Sequence, residues 1–487
     1  MRSLATLLLV TFLCPPYARA QNASFDADSP VFIVNRMTEG HQTFPAVASP
    51  RAGEAIVVWQ GPASPHLTGH GVWSGKLARH GVVGDDALLN EGLTGYPGFY
   101  ANVAANETGA LAAWQALGDA DGDGDAVFGR HLNGASAPAP GGPFLVNEAI
   151  AEYQDRPYVG AAADGPYIVV WTDGEFAAMP AELKARIYDS GGAAATDEFL
   201  VGDDLLHVDA ATPVAALASD RFVIAWPRDT SSIVVRYFDD AGHVLGSLDL
   251  AGDWSVWPPS IGIANCRDGR HIVVWAGSTL TEEGPVAALL GQWLDDAMAP
   301  VGDTYTIATE GSEQSGTLSV TMTPDCNALV AVGPALFLTG APASAGDESQ
   351  TPTRLNATSS SAYYLPGHAS IAADTPTTLV AVWSMRTQVA PPFVRDDIAA
   401  QWLCVQFDEG ALCGDATCSG DADVAIPAQR VNVTDGLRTL NTATGLASCR
   451  ACRCDTDSSG NITSSDAARI LRSAVGQPVE LTCPPCT

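Results

Sequence analysis

Basic residues are scarce in this chain. Lys and Arg together number 24 against 55 Asp and Glu in 487 residues, a formal net charge of −31. Lys76 and Lys184 are its only lysines. Such a chain repels phosphate backbones and anionic headgroups, which makes nucleic acid and anionic membranes poor partners. Past the N-terminus there is no run of ~20 apolar residues, so membrane insertion is not expected. The nine histidines are scattered. No His/Asp/Ser cluster, nucleophile motif or carboxylate pair at a telling spacing accompanies them, so no catalytic residue is read from the sequence. Cysteine is thin over most of the length: Cys266 and Cys326 stand alone in the body, while eight others crowd between Cys404 and Cys486. Two regions that stay folded in different ways are therefore expected.

What is present begins with an export signal. Arg2 supplies a positive n-region, Leu4–Leu13 an apolar h-region, and Ala18-Arg19-Ala20 a small-x-small cleavage site. Residues 1–20 read as a signal peptide and the mature protein as secreted, with Gln21 at its N-terminus. The ten cysteines that remain suit an oxidising compartment and disulfides.

The body repeats. A strand-like run, usually ending in Trp, returns as Ile56–Trp59, Leu111–Trp114, Ile168–Trp171, Phe222–Trp226, Ile272–Trp275, Leu329–Val332 and Leu379–Trp383. Its ends are 55, 57, 55, 49, 57 and 51 residues apart. A short small-residue strand precedes each run, a polar turn and a third strand follow, and several units add a fourth, as in Phe144–Asn147. Four short strands per ~50 residues is the pattern of a β-propeller blade. Seven units over residues 30–408 predict a mainly β, seven-bladed propeller. The seventh unit lacks a fourth strand, and the orphan Val31–Asn35 near the start is placed to supply it and close the ring. The recurring Trp residues read as packing between blades. Phe44, Tyr96, Arg156 and Trp257, around the recurring prolines, are expected near the central opening. There they are candidates for stacking on a polysaccharide or surface glycan or for gripping a peptide, with plain aromatic capping of the channel the competing reading.

The sharpest chemical signal is Asp455–Asp466. Asp455, Asp457, Ser459, Thr463 and Asp466 occupy loop positions 1, 3, 5, 9 and 12 of an EF-hand pattern, Asn461 offers a backbone carbonyl at position 7, and Gly460 stands at the turn. Ca²⁺ takes six to eight oxygens, and this spacing wraps them round one point. Ala467, Ile470, Leu471, Ala474 and Val475 then mark one face of an exit helix. A shift of 31 residues maps Asp435 onto Asp466 and Cys452 onto Cys483. An insertion between Asp415 and Asp435 favours a lost or weakened first site.

On these residues, 413–487 resembles a type I dockerin: tandem calcium loops with Asp at position 12, each followed by a helix. The resemblance implies a small α-helical, disulfide-rich domain that binds Ca²⁺ and docks onto a cohesin-like protein, in machinery that degrades polysaccharide. It places partner contacts at Ser464 and Ser465, with Val433 and Thr434 in the first copy. A zinc site from Cys449-x-x-Cys452 and Cys483-x-x-Cys486 is the competing reading, and disulfide staples fit an exported chain better. Asp119, Asp121, Asp123 and Asp125 read as a turn before a second calcium loop, since position 12 would be Arg130.

The expected function is a secreted, non-catalytic binding protein. A glycan-cleaving propeller is the alternative, though Asp164, seven residues before Trp171, does not reproduce the spacing of sialidase repeats. A structural cell-surface component is the third reading.

Overall fold

A computed structural model describes residues 23–482 except 64–69, 80, 94–95, 134–137, 152, 163–164, 175–180, 206–213, 219, 230, 252–259, 267, 282–283, 310–317, 325, 333–334, 341–351, 358–368, 376–377, 391–392, 408–432, 445–453, 476, 478 and 480. The expected export signal and Trp257 lie outside the described residues, as do Asp415 and the cysteines at 413, 418, 449, 452, 483 and 486.

The second strand of each unit is apolar nearly throughout, which fits a strand covered on both faces. In Ala110–Trp114, Tyr167–Trp171 and Phe222–Trp226 every residue is buried. Such a strand needs a sheet on either side, and the chain provides it by repetition. Residues 43–308 form five antiparallel sheets of four strands in consecutive order. The sixth unit, lacking its Trp, still builds four strands, Ser319–Met322, Asn327–Val332, Ala335–Gly340 and Thr353–Ala357, with Val332 buried in the Trp position. The seventh has three of its own: Ser370–Ala373, Thr378–Ala390 and Phe393–Phe407.

Inner strands touch in sequence: Thr43–Arg51, Gly98–Ala105, Tyr153–Ala161, Val214–Ala218, Ile261–Asn265, Ser319–Met322 and Ser370–Ala373, the last lying against the first. The chain is a closed seven-bladed β-propeller. Its core lies between blades: Ile56, Val58 and Val72 of blade 1 share one cluster with Ala112 and Trp114 of blade 2. Trp59, Trp114, Trp171, Trp226, Trp275 and Trp383 are all 0–1% exposed, as their packing role requires. A Cβ on Gly202 would come within 2.7 Å of Trp226, so glycine makes room for the ring there.

The ring closes with the N-terminal segment, and over more of it than Val31–Asn35. Ala23–Ala27 runs antiparallel to the end of Phe393–Phe407 and parallel to Thr353–Ala357 of blade 6. After a step at Ser29, Phe32–Ile33 pairs with Ala400 and Ala399 of the same strand. The Asn35 side chain continues this, its Oδ1 accepting from the Ile398 N–H at 2.6 Å. Asn90 and Asn147 repeat the device on Val72 and Val127. Neighbouring blades are also tied one by one. Cys266 and Cys326 form a disulfide between the hairpins of blades 5 and 6, with Cα atoms 5.2 Å apart. Cys404 and Cys454 each take part in a further disulfide, with partners outside the described residues.

Towards the C-terminus two short helices are described, α1 (Val433–Ala443) and α2 (Ser464–Ala474), packed on each other. Gly436 permits their approach, since a Cβ there would meet Leu471 at 2.5 Å. No helix among the described residues is long and apolar enough to cross a membrane.

Candidate functional site

Three residues at equivalent points of blades 1–3 carry left-handed backbone without being glycine: Phe44 (φ 52°), Tyr100 (φ 50°) and Arg156 (φ 51°). Each sits where its inner strand slips register against the second strand, between Thr43 and Ala46, Phe99 and Asn102, and Asp155 and Tyr158. Such bulges re-aim side chains, and a strained non-glycine residue costs on the order of 1–3 kcal/mol. The Tyr100 bulge is held from blade 1, where Gln60 Oε1 accepts its backbone N–H at 3.3 Å.

The three side chains meet. Phe44 and Tyr100 pack edge to face with ring centroids 6.5 Å apart. The Arg156 guanidinium lies 4.2 Å over the Tyr100 ring, and its Nη2 donates to Tyr100 Oη at 3.1 Å. Phe44 is 53% exposed and Tyr100 37%. These bulges stand at the ends of inner strands entered from the preceding blade, so the trio lies on the rim of the central opening. Phe44 and Arg156, expected there from sequence, are joined by Tyr100, which the sequence reading passed over. Tyr96 lies four residues upstream on the connection into blade 2. The signal for Tyr100 was in the chain: Arg156 and Tyr100 are separated by 56 residues, and Phe44 stands the same distance before Tyr100.

At the other ends of the inner strands a cavity of about 640 Å³ is lined by the hairpin turns of blades 1, 2, 5, 6 and 7, among them Arg51, Glu107, Asn265, Thr323 and Asp374. Asp374 is a clasp between blades 7 and 1. Its Oδ1 accepts from the Gly53 N–H at 2.6 Å, and its Oδ2 from Thr378 Oγ1 at 3.0 Å and Arg79 at 3.4 Å. Burial pushes its carboxyl pKa up, against the pull of these donors.

The Asp119–Asp125 loop closes on itself as a turn. Asp119 Oδ1 accepts from Gly124 N–H, Asp125 from Gly118 N–H and Gln115, and Asp121 from Asn147. Its carboxylates serve the loop and the entry to blade 3, where the Gln154 N–H donates to the Asp125 carbonyl at 3.0 Å.

In the C-terminal region the loop before α2 gathers carboxylates. One oxygen from each of Asp455, Asp457 and Asp466 lies within 4.8 Å of the others, and Asp455 and Asp466 are fully buried. Gly460 (φ 86°) makes the turn and gives its N–H to Asp455 Oδ2 at 2.8 Å. Ser459 Oγ bridges Asp455 Oδ1 at 3.3 Å and the Asn461 carbonyl at 3.1 Å. Thr463 caps α2 and donates through Oγ1 to Asp466 Oδ2 at 2.9 Å. All six residues read as ligands thus fall in two linked knots of one loop, and the donor set is oxygen throughout, as a hard cation requires. Ser464 and Ser465 are exposed on the first turn of α2, while Val433 and Thr434 open α1.

No family model matches the chain, and no curated protein does. Solved structures similar to it include a protein of unknown function from Dyadobacter fermentans, 11% identical over 77% of this chain and 98% of that one, with a TM-score of 0.41. A Trypanosoma rangeli sialidase bound to an inhibitor is 9% identical over 74% of this chain and 55% of its own, with a TM-score of 0.40. An α-L-arabinofuranosidase from Fusarium graminearum is 12% identical over 63% and 92%, with a TM-score of 0.38.

Proposed function

We propose that this chain is an exported glycan-recognition protein whose propeller presents the Phe44–Tyr100–Arg156 rim and whose C-terminal segment is a dockerin-like docking module ordered by Ca²⁺. The observation that carries the recognition reading is the repeated strain: three blades spend a left-handed residue to hold an aromatic or cationic side chain at the rim. Aromatic faces with nearby hydrogen-bonding groups suit the alternating C–H and hydroxyl surfaces of sugars. The calcium reading is supported by the convergence of Asp455, Asp457 and Asp466, with Ser459, Thr463 and the Asn461 carbonyl completing the set. Ca²⁺ would tie the loop to the start of α2 and fix the exposed Ser464 and Ser465 for a cohesin-like partner. Extracellular modules bind Ca²⁺ at around 10⁻⁴–10⁻³ M, where the ion is structural rather than a switch.

Retention of the full chain on insoluble polysaccharides, with reducing ends measured in parallel, tests the function. Retention without release of reducing ends is expected. Sustained release would make the protein a glycan-cleaving enzyme, and passage through every polysaccharide would remove the recognition reading.

A further inference from the structure

We infer that the rim over blades 1–3 is a track for a neutral polysaccharide chain lying across all three blades, not a socket for one sugar. This rests on the glycan reading and adds the extent and charge of the ligand.

The rim residues are one of two tiers. Six residues after each of the buried asparagines Asn35, Asn90 and Asn147 come His41 and Tyr96 on the connections between blades and Tyr153 at the first position of blade 3's inner strand. The His41 side chain is 62% exposed, Tyr96 37% and Tyr153 40%. Each blade therefore offers an upstream ring and, three or four residues on, a bulge side chain: His41 with Phe44, Tyr96 with Tyr100, Tyr153 with Arg156. The propeller's rotation repeats this pair three times, and a surface that repeats fits a ligand that repeats. Ring faces take the C–H faces of successive sugars, and the guanidinium stacked on Tyr100 holds that ring in place.

Charge selects among such chains. Asp396 sits 2.9 Å from His41, and the exposed Asp119 and Asp123 belong to the loop bonded to the entry of blade 3. Locally the rim also carries cations, Arg156 and the Arg386 that pairs with Asp396 at 3.5 Å, so it is the net charge of −31 acting at longer range that repels a polyuronate or sulfated glycan and leaves a neutral one unopposed.

The test is calorimetry of the full chain with cello- and xylo-oligosaccharides of increasing length, alongside oligogalacturonates. Affinity for at least one neutral series is expected to climb with each added sugar and then level off, with oligogalacturonates weaker at every length. Tyr100→Asn and Phe44→Asn remove a ring but keep a residue that tolerates left-handed backbone. Each is expected to weaken the long oligomers roughly tenfold with Tm unchanged or raised, while Tyr100→Phe retains binding. A monosaccharide bound as tightly as a hexamer, a preference for the uronates, or neutral binding untouched by both Asn variants would overturn the track and leave glycan recognition standing. Absence of any glycan binding would remove both.

Discussion

His271 shows how one residue ties blade packing to pH. Its Nδ1 faces the Gly269 carbonyl at 3.1 Å, which can only accept, so Nδ1 holds the proton and Nε2 accepts from Tyr237 Oη of blade 4 at 2.8 Å. His131 and Tyr167 pack edge to face between blades 2 and 3, rings 5.7 Å apart, while the Tyr167 hydroxyl donates to Asn106 Oδ1 at 3.0 Å. Burial lowers both histidine pKa values, that of His271 from 6.5 to about 4. Because the folded pKa lies below the unfolded one, the unfolded chain takes up the proton first. Stability is therefore lost as pH falls from about 6.5 towards 4, by up to about 3 kcal/mol for His271. Urea unfolding across that window should show a shallower fall for His271→Gln than for the natural chain; parallel curves would mean that folding leaves the His271 pKa unshifted. At the same scale the two lysines are committed to ion pairs, Lys76 to Glu54 at 2.9 Å and Lys184 to Glu198 at 3.0 Å and to Asp173. Neither is a loose surface cation in this acidic chain.

Among the elements, the loop Asp455–Asp466 makes the plainest wager. Calorimetric titration of the full chain with Ca²⁺ should give about one ion, abolished by Asp455→Ala and by Asp466→Ala. At a hundredfold excess over Kd the ion adds about 2.7 kcal/mol to the element that binds it. A second ion would assign function to the interrupted first loop, and no binding would reduce the motif to a helix cap, which Thr463 and Asp466 already form. The convergence of Asp455, Asp457 and Asp466 was legible because these residues lie within one short stretch of chain. The second strands of the blades were legible for a similar reason: burial on both faces leaves a continuous apolar run with a Trp at its end. Tyr100 was not, because the repeats align on their prolines, and blade 2's proline stands in a different place relative to the bulge. Pro97 precedes Tyr100 by three residues, whereas Pro45 and Pro157 directly follow Phe44 and Arg156. Arg130, Arg186 and Arg236 were equally silent. Each donates to carbonyls in or just past the preceding blade's last strand, Leu88 and Leu89, Val146, and Val201, a contact set by blade stacking and not by local pattern.

For the molecule as a whole, the seam decides integrity. The orphan Val31–Asn35 disclosed that the N-terminus closes the ring, yet the larger share falls to Ala23–Ala27, inserted between blades 6 and 7. Removing residues up to Ala27 would bare the edges of Thr353–Ala357 and Phe393–Phe407. At about 1 kcal/mol per backbone hydrogen bond this costs several kcal/mol, and the open edges invite pairing between molecules. Light scattering and thermal unfolding of such a truncation should show a lower Tm and concentration-dependent association; an unchanged monomer would mean that Phe32–Ile33 and the Asn35 contact suffice.

The same seam imposes an order in time. Blades 1–5 each pair strands adjacent in the chain, so each can assemble as soon as its own ~50 residues have emerged. Ala23 has no such partner: it pairs with Phe407, made last of all the propeller's strands. Ala23–Ala27 must therefore stay unpaired until blades 6 and 7 arrive, and a product ending before Phe407 lacks the partner that closes the circle. Closure is a proofreading step for length, passed only by a chain that reaches its seventh blade.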